Sequence, residues 1–279
     1  LQLIPRERLE QRIAPVYPKG GKGRQPYPLS VMLRIHCVQP FYNLSDPAME
    51  DLLYGMESVR RFTSVSLDKV PDETTILNFR RRLDRGELGR GLFDEINGHL
   101  ASQGSTLKEG TIVDASLIAA APSTMNAKGE RDPEMHQSKK GNQWYFGMKM
   151  HIGVDDVLGL VHSFEATSGN VHDLDPTETL LHGDEKRCLD RRWLPRRAEA
   201  SGASTARRRV ERRMAPSIRR ELSDDSPEYR IEKIKASVRA KVEHPFRYVK
   251  QVFGYAKVRY RGLAKNENRL ALLLGFANL

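Results

Sequence analysis

Cysteine is nearly absent. Cys37 and Cys188 are the only two in 279 residues. Two thiols cannot build a disulfide framework or a zinc site, and they suit a reducing cytoplasm. Long apolar runs are missing as well, so no transmembrane helix and no membrane partner are expected. The N-terminus holds Pro5, Arg6, Arg8, Arg12 and Lys19 without an apolar core between them, so no secretory leader is expected. The chain opens on Leu1 rather than Met, and its true start is expected upstream. No internal repeat is visible. Gly20-Gly21-Lys22-Gly23-Arg24 is too irregular for a phosphate loop and reads as a basic lead-in. What is present is 39% apolar residues, enough for a real core, and a net charge of +10. The length fits one large domain or two modest ones. The charge points to a polyanionic partner.

Along the chain the hydrophobic period changes once. Residues 1–27 are a flexible lead-in, and 28–105 read as helical. Leu29, Met32, Leu33 and Ile35 have helical spacing. Ser45-Asp46-Pro47 is a helix start. Asp72 is placed to cap a helix through Ile76, Leu77 and Phe79, and Leu88 to Leu100 is a further helix. From Gly110 the pattern turns to strands. Thr111–Ile118 is short, β-rich and mostly apolar, as a buried strand should be. Residues 122–142 read as a polar loop. Phe146–Val154 and Leu158–Phe164 read as a hairpin with Asp155-Asp156 near its turn. Asp173–Leu181, Pro227–Phe253 and Leu263–Leu279 read as helices, the second of them long and basic. Helices, then strands, then helices suit an α/β core after a helical N-terminal region.

Two carboxylates stand out. Asp114 interrupts an apolar strand, where an unpaired carboxylate costs several kcal/mol and calls for a cation or donors. The plainer alternative is a strand-end carboxylate capping a turn. Glu243 follows Arg239 by four residues and precedes Lys250 by seven. On one helix these three share a face. The plainer alternative is a surface ion pair. Val242, Phe246, Val249 and Phe253 form the adjoining apolar stripe, and Pro245 is a candidate kink.

Together these stretches resemble the bacterial insertion-sequence transposases with a DDE triad. The Arg, three residues, Glu, six residues, Lys spacing at Arg239, Glu243 and Lys250 is similar to that family's signature. Ala236 stands where the family usually has Tyr. "LSDPAMEDLLYGMESVRRF" (Leu44–Phe62) and "PDETTILNFRRRL" (Pro71–Leu83) look like its helical N-terminal region. "IVDASLI" (Ile112–Ile118) looks like the first catalytic strand. "WYFGMKMHIGVD" (Trp144–Asp155) and the run Arg239–Asn266 look like the core hairpin and catalytic helix of the insertion-sequence-five group. The resemblance implies an RNase H-like catalytic domain over 106–279 after a helical domain over 28–105. It implies two Mg²⁺ ions, replaceable by Mn²⁺, on Asp114, Glu243 and a further aspartate. Arg239, Lys250, Arg247, Arg259 and Arg261 would contact phosphate. The partner would be double-stranded DNA with terminal inverted repeats, bound by a homodimer associated with the bacterial nucleoid.

One segment departs from the pattern. The family places its second Asp just past Lys186-Arg187, in a run like Asp-Ala-Gly-Tyr. Here the chain reads "CLDRRWLPRRAEASGASTARRRVERRMAPSIRR". Arg187–Arg220 holds twelve Arg against Asp190, Glu199 and Glu211, so +9 of the net +10 lies in this stretch. Residues 188–218 read as an aberrant or disordered insert, a distorted strand or a frameshift. Codons chosen for Cys188–Ala200 and read one base later give Val-Leu-Thr-Asp-Ala-Gly-Tyr-Leu-Gly-Val-Gln-Lys, with the Asp codon straddling Arg191 and Arg192. Asp184 lies before the expected strand and is not assigned to the site.

Smaller signals stay open. His151, His162 and His172 read as structural. Trp144, Tyr145 and Phe146 either stack on a base or pack in the hairpin. Arg80, Arg81 and Arg82 either contact phosphate or form a solvated face. Tyr255, Arg259, Tyr260 and Arg261 interleave aromatics with bases, which fits a DNA backbone. The competing functions are a DDE transposase, a non-catalytic DNA-binding remnant of one, and a metal-dependent nuclease on the same fold.

Overall fold

Capping chemistry sets several helix starts in the computed structural model. The structure describes residues 4–21, 23, 25–86, 88–105, 110–125, 129–183, 185, 187–190, 209–210 and 226–279. In chain order its helices are α1 (Arg6–Ile13), α2 (Leu29–Phe41), α3 (Asp46–Gly55), α4 (Glu57–Thr63), α5 (Glu73–Arg85), α6 (Leu88–Ser102), α7 (Thr177–Leu180), α8 (Pro227–Ala240), α9 (Glu243–Arg247) and α10 (Leu263–Asn278). The Ser45 hydroxyl accepts from the Ala48 N–H at 3.3 Å, and the Asp72 carboxylate accepts from Thr75 N–H at 2.6 Å. Each satisfies one orphan donor and stabilises its helix by about 1 kcal/mol.

The chain divides into two compact units. The first holds Leu1–Leu100, Val249–Ala256 and Ala264–Leu279. It is helical, and its core includes Met32, Leu33, Met49, Leu53, Phe93 and Ile96. The apolar run Leu270–Leu274 of α10 is buried in it. Gly275 passes so close to Ile96 that an added Cβ would stand 2.8 Å from its Cδ1. Arg80 is ion-paired inside this unit. Its guanidinium lies 2.7 Å from Asp46, with Asp84 at 3.9 Å.

The second unit holds Ala101–Tyr248 and Lys257–Leu263. Its strands are β1 (Gly110–Ala119), β2 (His136–Lys140), β3 (Gln143–Asp155), β4 (Val161–Ser168), β5 (Arg187–Asp190) and β6 (Arg209–Val210). The sheet order is β2-β3-β1-β5-β6, with β4 also paired to β3. β1 and β4 run antiparallel to β3, while β5 runs parallel to β1 and β6 parallel to β5. Three antiparallel strands flanked by two parallel to the first make this an RNase H-like α/β core. It follows an all-helical N-terminal region.

Three expectations change. Residues 122–142 are not all loop: His136–Lys140 forms β2, because the outer half of β3 supplies a partner ladder from His136↔Gly147 to Lys140↔Gln143. The helix expected over Asp173–Leu181 shrinks to Thr177–Leu180. Lys149 draws the preceding chain to the sheet instead, donating to the Val171 carbonyl at 2.6 Å and to Asp173 at 2.8 Å. The long helix over Pro227–Phe253 breaks at Lys241–Val242 into α8 and α9, then ends in a π-turn, Tyr248–Val252. Pro245 lacks an N–H, so it fits the first turn of a new helix and not the middle of an old one.

Candidate active site

Asp114 lies mid-strand on β1, opposite Ile152 of β3. Paired residues share a sheet face, so Ile112, Asp114, Ser116 and Ile118 line one face with Val154, Ile152, Met150 and Met148. Those four β3 side chains are fully buried. Asp114 is half-buried, and its carboxylate accepts from the Ala115 N–H at 2.8 Å. Pairing with β3 thus gives this half-buried carboxylate a fixed seat on the strand.

The opposite face carries His151, paired across from Ala115. His151 is buried, with Nε2 2.8 Å from the Thr167 hydroxyl and no partner at Nδ1 among the described residues. Burial pushes its pKa down to about 4, against the opposing pull of Asp173. His162 Nε2 lies 3.1 Å from the Thr111 hydroxyl. His172 accepts the Leu174 N–H at 3.2 Å.

Glu243 is the first residue of α9 and is exposed, while Val242, Phe246, Val249 and Phe253 are buried. The apolar stripe therefore behaves as expected. Arg239 lies on α8, Glu243 starts α9 and Lys250 lies in the π-turn that follows. Arg239 and Lys250 are half-buried. Arg247, Arg259 and Arg261 are exposed. Tyr255 leaves the expected DNA-facing group altogether. It is fully buried, and its hydroxyl donates to Asn266 at 2.5 Å.

Two anchors position this helical segment against β1. The Lys241 ammonium donates to the carbonyls of Asp156 at 2.7 Å and Val157 at 2.8 Å. That turn is joined to the start of β1 by Asp156 N–H on the Gly110 carbonyl, 3.0 Å. Past α9, Val258 N–H donates to the Ala119 carbonyl at 2.8 Å, at the far end of β1. Asp114 lies between the two anchor points. Nothing in the residue pattern marked Lys241, because an ordinary surface lysine has the same sequence appearance.

Another buried carboxylate holds the neighbouring strand. Glu185 accepts the N–H groups of His182 at 2.6 Å and Gly183 at 2.9 Å. Burial alone would raise its pKa, but these donors and the nearby His182 hold it below the ordinary carboxylate range. Two residues later β5 enters beside β1, pairing Gly110↔Arg187 through Val113↔Asp190. That last pair is one step short of Asp114. Arg191, Arg192 and Asp184 lie outside the described residues, as do most of 188–218.

A family model described as "Transposase DDE domain" matches residues 105–279. The chain belongs to the DDE transposase family. A second model, "Transposase domain (DUF772)", matches residues 1–82. Family members are enzymes that use divalent metal ions. Two solved structures are also similar. A pre-cleavage Mos1 transpososome is 10% identical over 94% of this chain and 81% of its own, with a TM-score of 0.17. A Mos1 transposase paired-end complex with the left transposon end is 10% identical over 88% and 83%, with a TM-score of 0.16. At scores this low the likeness says nothing about this transposase's site. Among the described residues no helix is long and apolar enough to cross a membrane. Nor do three His, Cys, Asp or Glu side chains gather there into a group able to hold a metal. The donor chemistry of Asp114 and Glu243 suits a hard cation such as Mg²⁺.

Proposed function

We propose that the chain is a DNA transposase of the insertion-sequence-five group whose second catalytic aspartate has been lost to a frameshift. Its lineage cut and rejoined DNA at terminal inverted repeats, with two divalent ions supplying the phosphoryl-transfer chemistry. Asp114 and Glu243 are the surviving carboxylate ligands in this reading. Arg239, Arg247, Lys250, Arg259 and Arg261 hold phosphate, and a homodimer brings two ends together.

The observation that carries the reading is the β1–β5 ladder. It ends at Val113↔Asp190, the pair immediately before Asp114. In the shifted frame the next codon is Asp, which is where a carboxylate is needed beside Asp114. The chain as it stands has Arg there by sequence. In this reading a guanidinium replaces the carboxylate and repels a divalent cation. The same shortfall favours a second reading, a remnant that still binds inverted repeats without cutting them.

The gene's nucleotide sequence around Arg187 and Arg220 tests the frame directly. Two compensating shifts that restore Asp-Ala-Gly-Tyr are expected, and codons without such a frame would overturn the account. A strand-transfer assay with labelled ends tests the chemistry. The frame-restored protein should join ends with Mg²⁺ and lose that activity on Asp114→Ala, while the present chain only binds. Cleavage without joining by the restored protein would make it a nuclease.

A further inference from the structure

Trp144 is 63% exposed, although a large aromatic side chain gains most by burial. It stands near the tip of the β2–β3 ribbon. The two strands meet through the two-residue turn Gly141-Asn142, with Gly141 at φ 62° as the first position of a II′ turn requires. Register places Lys139 directly across from Trp144, and Gln137 across from Phe146. These four therefore share one face of the ribbon. Each aromatic carries a cation: the Lys139 ammonium is 6.0 Å from the Trp144 ring centre, and the Arg131 guanidinium is 5.5 Å from Phe146. Lys139, Lys140 and Arg131 are exposed. Between His136 and Phe146 there are two lysines and no acid. The nearby acids are turned to other work. Asp132 accepts the Gly262 N–H at 2.6 Å, and Glu134 accepts that of Leu263 at 2.5 Å.

We propose that this ribbon face is a platform for unpaired DNA at the transposon end, with bases stacking on Trp144 and Phe146 and phosphates on Lys139 and Arg131. The inference rests on the reading of the chain as a DNA transposase. Aromatic faces next to cations bind a strand whose bases are open to stack, whereas a duplex offers its phosphates but hides its base faces. Residues two apart on a strand are about 6.8 Å apart, two steps of the 3.4 Å repeat of a DNA strand. The Lys139 contact is at the outer limit of a cation–π attraction. A phosphate therefore competes for that ammonium and frees the ring. Phe146, half-buried, roots the platform in the sheet.

Fluorescence polarisation on the full chain separates the outcomes, using an oligothymidine strand and a terminal-repeat duplex at low salt. Trp144→Ala should weaken binding of the single strand by about ten-fold or more and leave duplex binding unchanged. Trp144→Phe should keep most of the single-strand affinity. In a Trp193→Phe background the remaining Trp144 emission should be quenched by the single strand. Equal single-strand binding by parent and Trp144→Ala would overturn the platform while leaving the transposase reading intact. So would equal loss of both DNA forms. A parent chain that binds neither DNA would overturn both.

Discussion

Gln143–Phe146 and Gly147–Asp155 are the outer and inner halves of one strand, β3. The outer half pairs with β2, with one further bond from the Ala120 N–H to the Phe146 carbonyl, and its side chains are exposed or half-buried. The inner half pairs with β1 on one edge and β4 on the other, and nearly all of it is buried. Gly147 marks the changeover, where Ala119 of β1 and His136 of β2 both end their ladders. A Cβ there would meet the Ile118 carbonyl at 2.1 Å, so no other residue fits without moving backbone. The outer half holds three aromatics and no lysine, and the inner half holds Lys149 and no Phe, Tyr or Trp. The difference in burial is whether a second strand covers the edge. The inner half gives Asp114 its seat, and the outer half is free to present a surface.

Three substitutions sharpen or break that contrast. Ile152→Ala, in the middle of the inner half, should destabilise the unit by about 2–5 kcal/mol through lost burial and a cavity. Denaturant unfolding measures this, and a loss under about 1 kcal/mol would mean the inner half is not the core. Next comes His151. Its folded pKa near 4 lies below the ordinary 6.5, so the unfolded chain takes up the proton first. Stability is complete above pH 6.5 and falls as the pH drops toward 4, by up to about 3 kcal/mol. His151→Gln should flatten that part of the stability–pH curve, and an unchanged slope would assign it to other groups. The smallest effect belongs to the outer half: Trp144→Ala should shift stability by no more than about 0.5 kcal/mol. A clear drop in melting temperature would make Trp144 a packing residue and remove its role as an exposed platform.

Much of the architecture was legible because it rests on local rules. Ser45 and Asp72 announce helix starts by their own hydroxyl and carboxylate. Thr111–Ile118 reads as a strand because its apolar residues leave no helical stripe. Asp155 reads as a turn residue, and its carboxylate does accept the N–H groups of Val157 and Leu158. Failures came where a distant partner decided. β2 looked like loop because its polar sequence, His136–Lys140, becomes a strand only when Gln143–Gly147 lies beside it. Asp173 looked helical until Lys149 claimed it. Tyr255 looked like a DNA contact because aromatics among bases suggest one, yet Asn266 holds it in a core.

The sequence by itself determined the family and the change from helical to strand period at Gly110. Those properties depend on residue type and short spacing, which the chain carries before it folds. Only the tertiary structure decided that the exposed Glu243 starts a new helix, that Lys241 ties it to the β3–β4 turn, and that β5 meets β1 one pair short of Asp114. Strand register and anchoring come from hydrogen bonds between residues tens of positions apart, and no local pattern encodes those pairings.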